Sequence, residues 1–165
     1  MVKRTSFEEA DCPVARSLDL IGDWWSLLIV RDAFDGVRRF SDFQKGLGIS
    51  KGILAARLRE LVAHGVLAAT TAADGGAYQD YVLTGKGRDL FPVIVALRQW
   101  GEDHCFLPGE PHSTLVENET GKRVRRLELR SRSGRPLTSV DTTVRKVVAR
   151  TPRSSMTGPR RARAR

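Results

Sequence analysis

The feature that most constrains this chain is a pair of short apolar-periodic stretches meeting at Gly48-Ile49-Ser50. The first, residues 42–47, places Phe43 and Leu47 at i and i+4, the spacing of one helix face. The second, Lys51–Ala63, lines up Leu54, Leu58, Leu61 and Val62 in a single stripe. Ser41 and Ser50 stand where the two helices would begin, and a serine hydroxyl there satisfies an otherwise unpaired N–H. His64-Gly65 closes the second stretch, glycine being suited to a left-handed C-terminal cap. Two short helices joined by a tight glycine-containing turn predict a helix-turn-helix.

The flanks extend the pattern. Residues 66–71 read as a strand, 72–77 as a glycine-rich turn and 78–83 as the returning strand, which together make a wing. Upstream, Val14, Leu18 and Ile21 predict a helix over Pro13–Ile21 that opens on a proline, and a proline's missing N–H costs nothing in a first turn. Gly22 breaks it, and a strongly apolar helix is expected over 25–34. After the wing, Thr84 is expected to cap one long helix over 85–105, with Leu90, Phe91, Ile94, Val95 and Leu97 on a broad apolar surface and Pro92 tolerated in its first turns. Beyond a linker at 108–112, strand-like stretches at 114–116, 124–130 and 137–148 alternate with turns at 119–122 and 132–135. They predict a small β appendage that needs the first domain to dock on.

Hydrophobic residues make up 41% of the chain and charged ones 28%, so a core can form without disulfide or metal support. The net charge of +9 favours a polyanionic partner, nucleic acid or an anionic membrane surface. Six arginines and no acidic residue lie in 150–165, however, so most of that excess sits in an Arg/Pro/Ser-rich tail that is expected to be disordered. The fold therefore has to be argued from pattern. No apolar run approaches the ~18–20 residues of a membrane span, and the polar N-terminus carries no export signal, so a cytoplasmic protein with reduced cysteines is expected. His64, His104 and His112 are scattered without metal-ligand spacing, and Gly85-Lys86-Gly87 lacks phosphate-loop spacing. Neither a metal, a cofactor nor an enzyme activity is expected.

The second helix of the motif should enter the major groove N-terminal end first. Removing its buried stripe leaves Lys51, Gly52, Ala55, Ala56 and Arg59 on the outer side and Arg57 on a flank. Small residues let a helix approach base edges, and an alanine methyl can touch a thymine methyl. Arg38, Arg39 and Lys45 flank the first helix, where phosphates would lie, and the N–H groups at Ser41 and Ser50 would add uncharged phosphate contacts.

In unbroken order from Cys12 to Cys105 the chain resembles the HxlR-type winged helix-turn-helix regulators of bacteria. The resemblance is carried by Cys12-Pro13, Ile21-Gly22-Asp23-Trp24-Trp25, Arg38-Arg39-Phe40-Ser41-Asp42-Phe43, and Gly48-Ile49-Ser50. It continues through Leu54 with Arg57-Leu58 and Glu60-Leu61, then His64-Gly65-Val66-Leu67. Tyr81-Val82-Leu83-Thr84-Gly85-Lys86-Gly87 and Trp100-Gly101-Glu102-Asp103-His104 complete it. It implies a homodimer binding double-stranded DNA at an inverted repeat, as a repressor or activator. It also implies an interface between the first helix and the long helix, with Val14, Leu18, Phe91, Val95 and Trp100 in it. The expected class is thus mainly α (α+β): a winged helix-turn-helix with a long dimerisation helix and a small C-terminal β appendage. Its expected parts are an N-terminal arm (1–11), the winged domain (12–107), the appendage (108–149) and a basic tail (150–165).

Two departures stand out: residues 70–80 contain no lysine or arginine, and the basic tail lies outside the family's usual pattern. Two readings of the cysteines stay open. Cys12 precedes the first helix, where the helix N-terminus and Arg16 would favour a thiolate, as in family members that sense oxidants or electrophiles; Cys105 would be its disulfide partner across the dimer. Alternatively, both are structural thiols. Trp24, Trp25, Phe91 and Trp100 are either core and interface or the lining of a pocket for a small effector. A winged helix serving as a protein-interaction or RNA-binding module is the rival function.

Overall fold

A computed structural model of the chain describes residues 6–71 and 78–146. Four helices come first: α1 Pro13–Ile21, α2 Trp24–Phe34, α3 Phe40–Leu47 and α4 Lys51–Ala63. An antiparallel pair follows, β1 Leu67–Thr71 and β2 Gln79–Leu83, in a register from Leu67 opposite Leu83 to Thr71 opposite Gln79. The chain then runs through α5 Gly85–Arg88 and α6 Phe91–His104. A single 3-10 turn, Ser139–Asp141, lies near the end of the described chain. The expected wing turn at 72–77 and the basic tail fall outside the described residues.

The core forms where the apolar faces converge. Phe43 of α3, Leu54, Leu58 and Leu61 of α4, Ile29 and Val30 of α2, and Val66 and Leu67 at the wing are all almost wholly buried. Each large side chain removed from water in this way contributes roughly 1.5–3 kcal/mol. Gly48 adopts φ +63° at the turn between α3 and α4, a conformation costly for any residue with a Cβ. That turn swings α4 across α2 and α3.

Three expectations about the elements are corrected. Ser41 does not cap α3: the helix starts two residues earlier than expected, at Phe40, with Arg39 extended at its N-cap and Ser41 in the first turn bonding Asp42. Arg39 is held extended because it pairs as a β-bridge with Asp80 while Tyr81 N–H donates to the Arg38 carbonyl at 2.8 Å.

The long helix is broken at Asp89-Leu90 into α5 and α6. Gly87 is pressed against the wing, so that a Cβ there would lie 2.2 Å from the Val66 carbonyl oxygen. Thr84 ties the same turn down by accepting from Gly87 N–H and donating to the Gly65 carbonyl. Pro92 in the first turn of α6 cannot pair with, and would collide with, the carbonyl four residues back. The helix therefore restarts in a new direction.

The appendage forms its two turns, with Gly121 and Gly134 at positive φ. Among the described residues its expected strands meet only as the isolated pairs Val116–Arg123 and Arg130–Pro136, and the 3-10 turn interrupts the last of them. Its backbone finds partners on α6 instead. Gln99 donates from Nε2 to the Arg125 carbonyl at 3.0 Å and accepts the Leu127 N–H on Oε1 at 2.9 Å. One amide side chain thus stands in for a neighbouring strand, and Arg126 reinforces it by bonding the Gln99 carbonyl and pairing with Asp103.

Candidate nucleic-acid interface

The outer edge of α4 is built by its N-cap. Ser50 is extended, and its hydroxyl accepts the Ile53 N–H at 3.4 Å. The first turn contains no acidic residue, so the positive end of the helix dipole is left uncompensated by its own sequence. Lys51, Gly52 and Arg59 are exposed, and Ala55 and Ala56 are half-buried. Nothing lies within 4 Å of a Cβ built on Gly52. This edge is therefore open to an incoming molecule, with two cations at its ends and small residues between them.

Arg57 does not belong to that edge. Its Nε is shut away from water 3.1 Å from Asp23 Oδ1, an ion-pair contact, while Nη1 bonds Glu60 Oε2 at 2.5 Å. The same Asp23 oxygen accepts the Trp25 and Ser26 N–H groups at 3.0 and 3.3 Å, capping α2. Arg57 thus positions α4 on α2. Ile53, absent from the sequence expectation, is 44% exposed beside Gly52. It lies off the buried stripe, which is the signal that marks it as an apolar group available to a thymine methyl.

Around α3, Arg38 and Lys45 are exposed, as is Ser41. Arg39 is half-buried, its Nε 3.9 Å from the carboxylate of buried Asp80, so its charge is partly met inside the fold. A groove runs between the start of α3 and β2, bounded by Arg39, Ser41, Tyr78 and Tyr81.

The residues expected at a dimer interface divide. Val14, Leu18, Phe91 and Trp100 are exposed, at 66%, 52%, 44% and 60%. Val95 is only 3% exposed and faces the chain's own interior, so it cannot meet a partner. Half-exposed Val93 lies on the outer face of α6 instead, and half-exposed Leu97 borders the cleft between α6 and α2.

Both cysteines are free and exposed. Cys12 is the N-cap of α1 without a side-chain bond, and Arg16 directs its Nε to the Ala10 carbonyl at 2.6 Å rather than to the thiol. Trp24, Trp25, Phe91 and Trp100 do not converge on the apolar cavity between α2 and α6: Trp24 stacks on Trp25, Phe91 on Phe34, and Trp100 on His104. Among the described residues no helix is long and apolar enough to cross a membrane.

Comparison with known proteins agrees with this architecture. The HxlR-like helix-turn-helix family matches residues 20–107. Rv3095 of Mycobacterium tuberculosis, described as an uncharacterised HTH-type transcriptional regulator, is 41% identical over 109 residues, covering 66% of this chain and 69% of that protein. The crystal structure of PA1607, described as a candidate transcription factor, superposes with a TM-score of 0.83 at 58% identity over 86% of this chain and 99% of that one. The oxidised form of the redox regulator HypR gives a TM-score of 0.53 at 32% identity over 58% of this chain and 100% of its own. With more than half of its length matched, the chain belongs to the HxlR-like helix-turn-helix family.

Proposed function

We propose that the protein is a DNA-binding transcriptional regulator that acts as a homodimer on an inverted-repeat operator, most simply as a cytoplasmic repressor. The observation that carries this reading is the open edge of α4, with Lys51, Gly52 and Arg59 exposed and Gly52 clear of its own chain. Arg59 and Lys51 read base edges, Ala55 and Ala56 line the close approach, and Arg38, Lys45 and the first-turn N–H groups near Ser41 and Ser50 hold phosphates. Residues 12–107 form the DNA-binding and dimerising unit, 108–149 brace it, and the tail adds affinity without sequence preference.

With Arg39 and Arg57 engaged internally, each subunit offers Arg38, Lys45, Lys51 and Arg59. Of these, Arg38 and Lys45 are directed at phosphates, so four such cations per dimer give a slope of about −4 for log K against log salt, to which the tail adds. The test is genome-wide DNA selection with the purified chain, followed by binding of the selected site to Arg59→Ala and to a form ending at residue 149. Arg59→Ala should lose ~1–3 kcal/mol of affinity and relax preference at one base position, and the shortened form should keep its preference. A protein-interaction or RNA-binding module would instead lose all DNA binding with the tail.

The exposed thiols support regulation through Cys12, with Cys105 as a cross-dimer partner, and HypR is a redox regulator. Diamide should then yield a covalent dimer on non-reducing gels and change operator affinity. Unchanged affinity in the Cys12→Ser variant under diamide is the matching expectation.

A further inference from the structure

Between α2 and α6 lies a cavity of about 290 Å³, open to solvent on one side. Its walls are carbon: Leu27 and Leu28 from α2, Ile94 and Leu97 from α6, and Phe106. Phe106 is held in place by stacking on His112, with ring centroids 4.8 Å apart. The space is a cleft broadly open to solvent rather than an interior void, and its apolar walls give a flat apolar molecule surface to cover. Part of the space exists because α6 has glycine at position 101, where an added Cβ would meet nothing within 4 Å.

The size is informative. A dry cavity of ~150 Å³ accommodates benzene, and this one is about twice as large, room for two fused rings. The polar groups on its lining narrow the chemistry further. Arg31 is already neutralised by Asp32 at 2.7 Å. His112 Nε2 faces Arg123 at 3.1 Å. Arg98 is fixed by its Nη1, which donates to the Ser113 carbonyl and hydroxyl at 3.2 and 2.8 Å, and no carboxylate pairs with it among the described residues. Glu102 stands one helical turn further along and is the only carboxylate on the lining. The cavity therefore presents one cationic donor and one anionic acceptor on the same face of α6, within reach of a single ligand group. Together their charges cancel.

We propose that this cavity is a binding site for a neutral, flat hydroxyaromatic molecule of one or two rings. Its hydroxyl donates to Glu102 and accepts from Arg98, while its rings fill the space left by Gly101 between the leucines and Phe106. A carboxylate would be attracted by Arg98 but repelled by Glu102, and a bare hydrocarbon would leave both unsatisfied. Because α2 also carries Asp23, which holds Arg57 of α4, an occupant that shifts α2 would move the DNA-facing helix. That consequence rests on the function proposed above; binding itself does not.

The experiment is a fluorescence and calorimetric titration of the full chain, without DNA, using 2-naphthol, 2-naphthoate and naphthalene as probes. One 2-naphthol per chain is expected, bound more tightly than either comparison molecule. Gly101→Leu, which fills the cavity, should weaken it at least tenfold while unfolding remains cooperative. Glu102→Ala and Arg98→Met should each weaken it ~12–160-fold, the range for one hydrogen bond to a charged group. If Gly101→Leu does not fold, Leu28→Phe fills the same space from α2 and takes its place. Equal binding by a folded cavity-filling variant overturns the site, and tighter binding of 2-naphthoate overturns the ligand class. Loss of operator binding in the absence of any probe would bear on the DNA-binding reading alone.

Discussion

The junction of Asp23 with Arg57 offers the sharpest test of how α4 is held. Asp23→Ala removes two things at once. The first is the N-cap of α2, where the carboxylate accepts from Trp25 and Ser26; such a loss costs ~1 kcal/mol. The second is the ion pair with Arg57, whose two side chains are 24% and 22% exposed. Fully exposed pairs contribute ~0.2–1 kcal/mol, whereas breaking a fully buried pair costs ~3–5 kcal/mol. Partial exposure, and the second bond from Arg57 to Glu60, put this pair at about 1–2 kcal/mol on the same scale. Asp23→Ala should therefore destabilise by about 2–3 kcal/mol, lowering Tm by roughly 4–12 °C for a chain of this size. Asp23→Asn keeps an acceptor for the cap and loses only the charge, so it should show about half the effect. Urea unfolding of Asp23→Asn, Arg57→Met and the double variant then forms a cycle with an expected coupling of ~1 kcal/mol. A coupling below ~0.3 kcal/mol, within the error of additivity, would refute the assignment of Arg57 as an internal brace and return it to the DNA-facing surface.

Other substitutions probe the remaining joints. Gly87→Ala drives a Cβ to 2.2 Å from the Val66 carbonyl oxygen, an overpacking that should cost ~1–3 kcal/mol, read as a lower Tm. Gln99→Ala should raise amide exchange at Leu127 several-fold while leaving β1 and β2 protected, because Gln99 is the hydrogen-bond partner of that segment. Trp100→Asp, on the exposed face of α6, should shift sedimentation toward a monomer without lowering Tm in proportion. The Asp141 carboxyl titrates below the usual carboxylate range because Thr138 N–H bonds it, followed by the Thr138 hydroxyl and Arg135. Its contribution to the 3-10 turn is thus complete above the ordinary carboxylate value and lost as pH falls through the lowered one. NMR of Thr138 should follow that acid transition in the native chain and lose it in Asp141→Asn.

The helices whose ends are set by local chemistry were legible from the sequence: α1 opens on Pro13, and α4 runs from a serine cap to a glycine at positive φ. What escaped was decided by partners distant in sequence. Ser41 is the better capping residue in isolation, yet the bridge from Arg39 to Asp80 fixes the start of α3 two residues earlier. The apolar periodicity of residues 85–105 is continuous, but contact of Gly87 with Val66 ends one helix and starts another. Val95 and Leu97 look equivalent as apolar residues, and only the packing of α6 shows that one is buried while the other borders an open cleft.

The same distinction explains the composition of the surface proposed to face DNA. A helical wheel sorts residues by angle, and by angle Arg57 sits between the buried and open faces of α4. Its role was settled by an aspartate more than thirty positions earlier that was already needed to cap α2. Asp80 does the equivalent for Arg39 from the wing. Asp23 takes up Arg57 and Asp80 meets part of the charge of Arg39, so the basic residues that stay fully outward around these two helices are Arg38 with Lys45 at α3 and Lys51 with Arg59 on α4. Net charge alone could not define those patches, because most of the excess lies in the tail. Within the folded part, the exposed positive charge depends on which arginines meet an internal carboxylate. A variant that frees Arg39 or Arg57 would raise the charge of the side proposed to face DNA while loosening the frame that aims it.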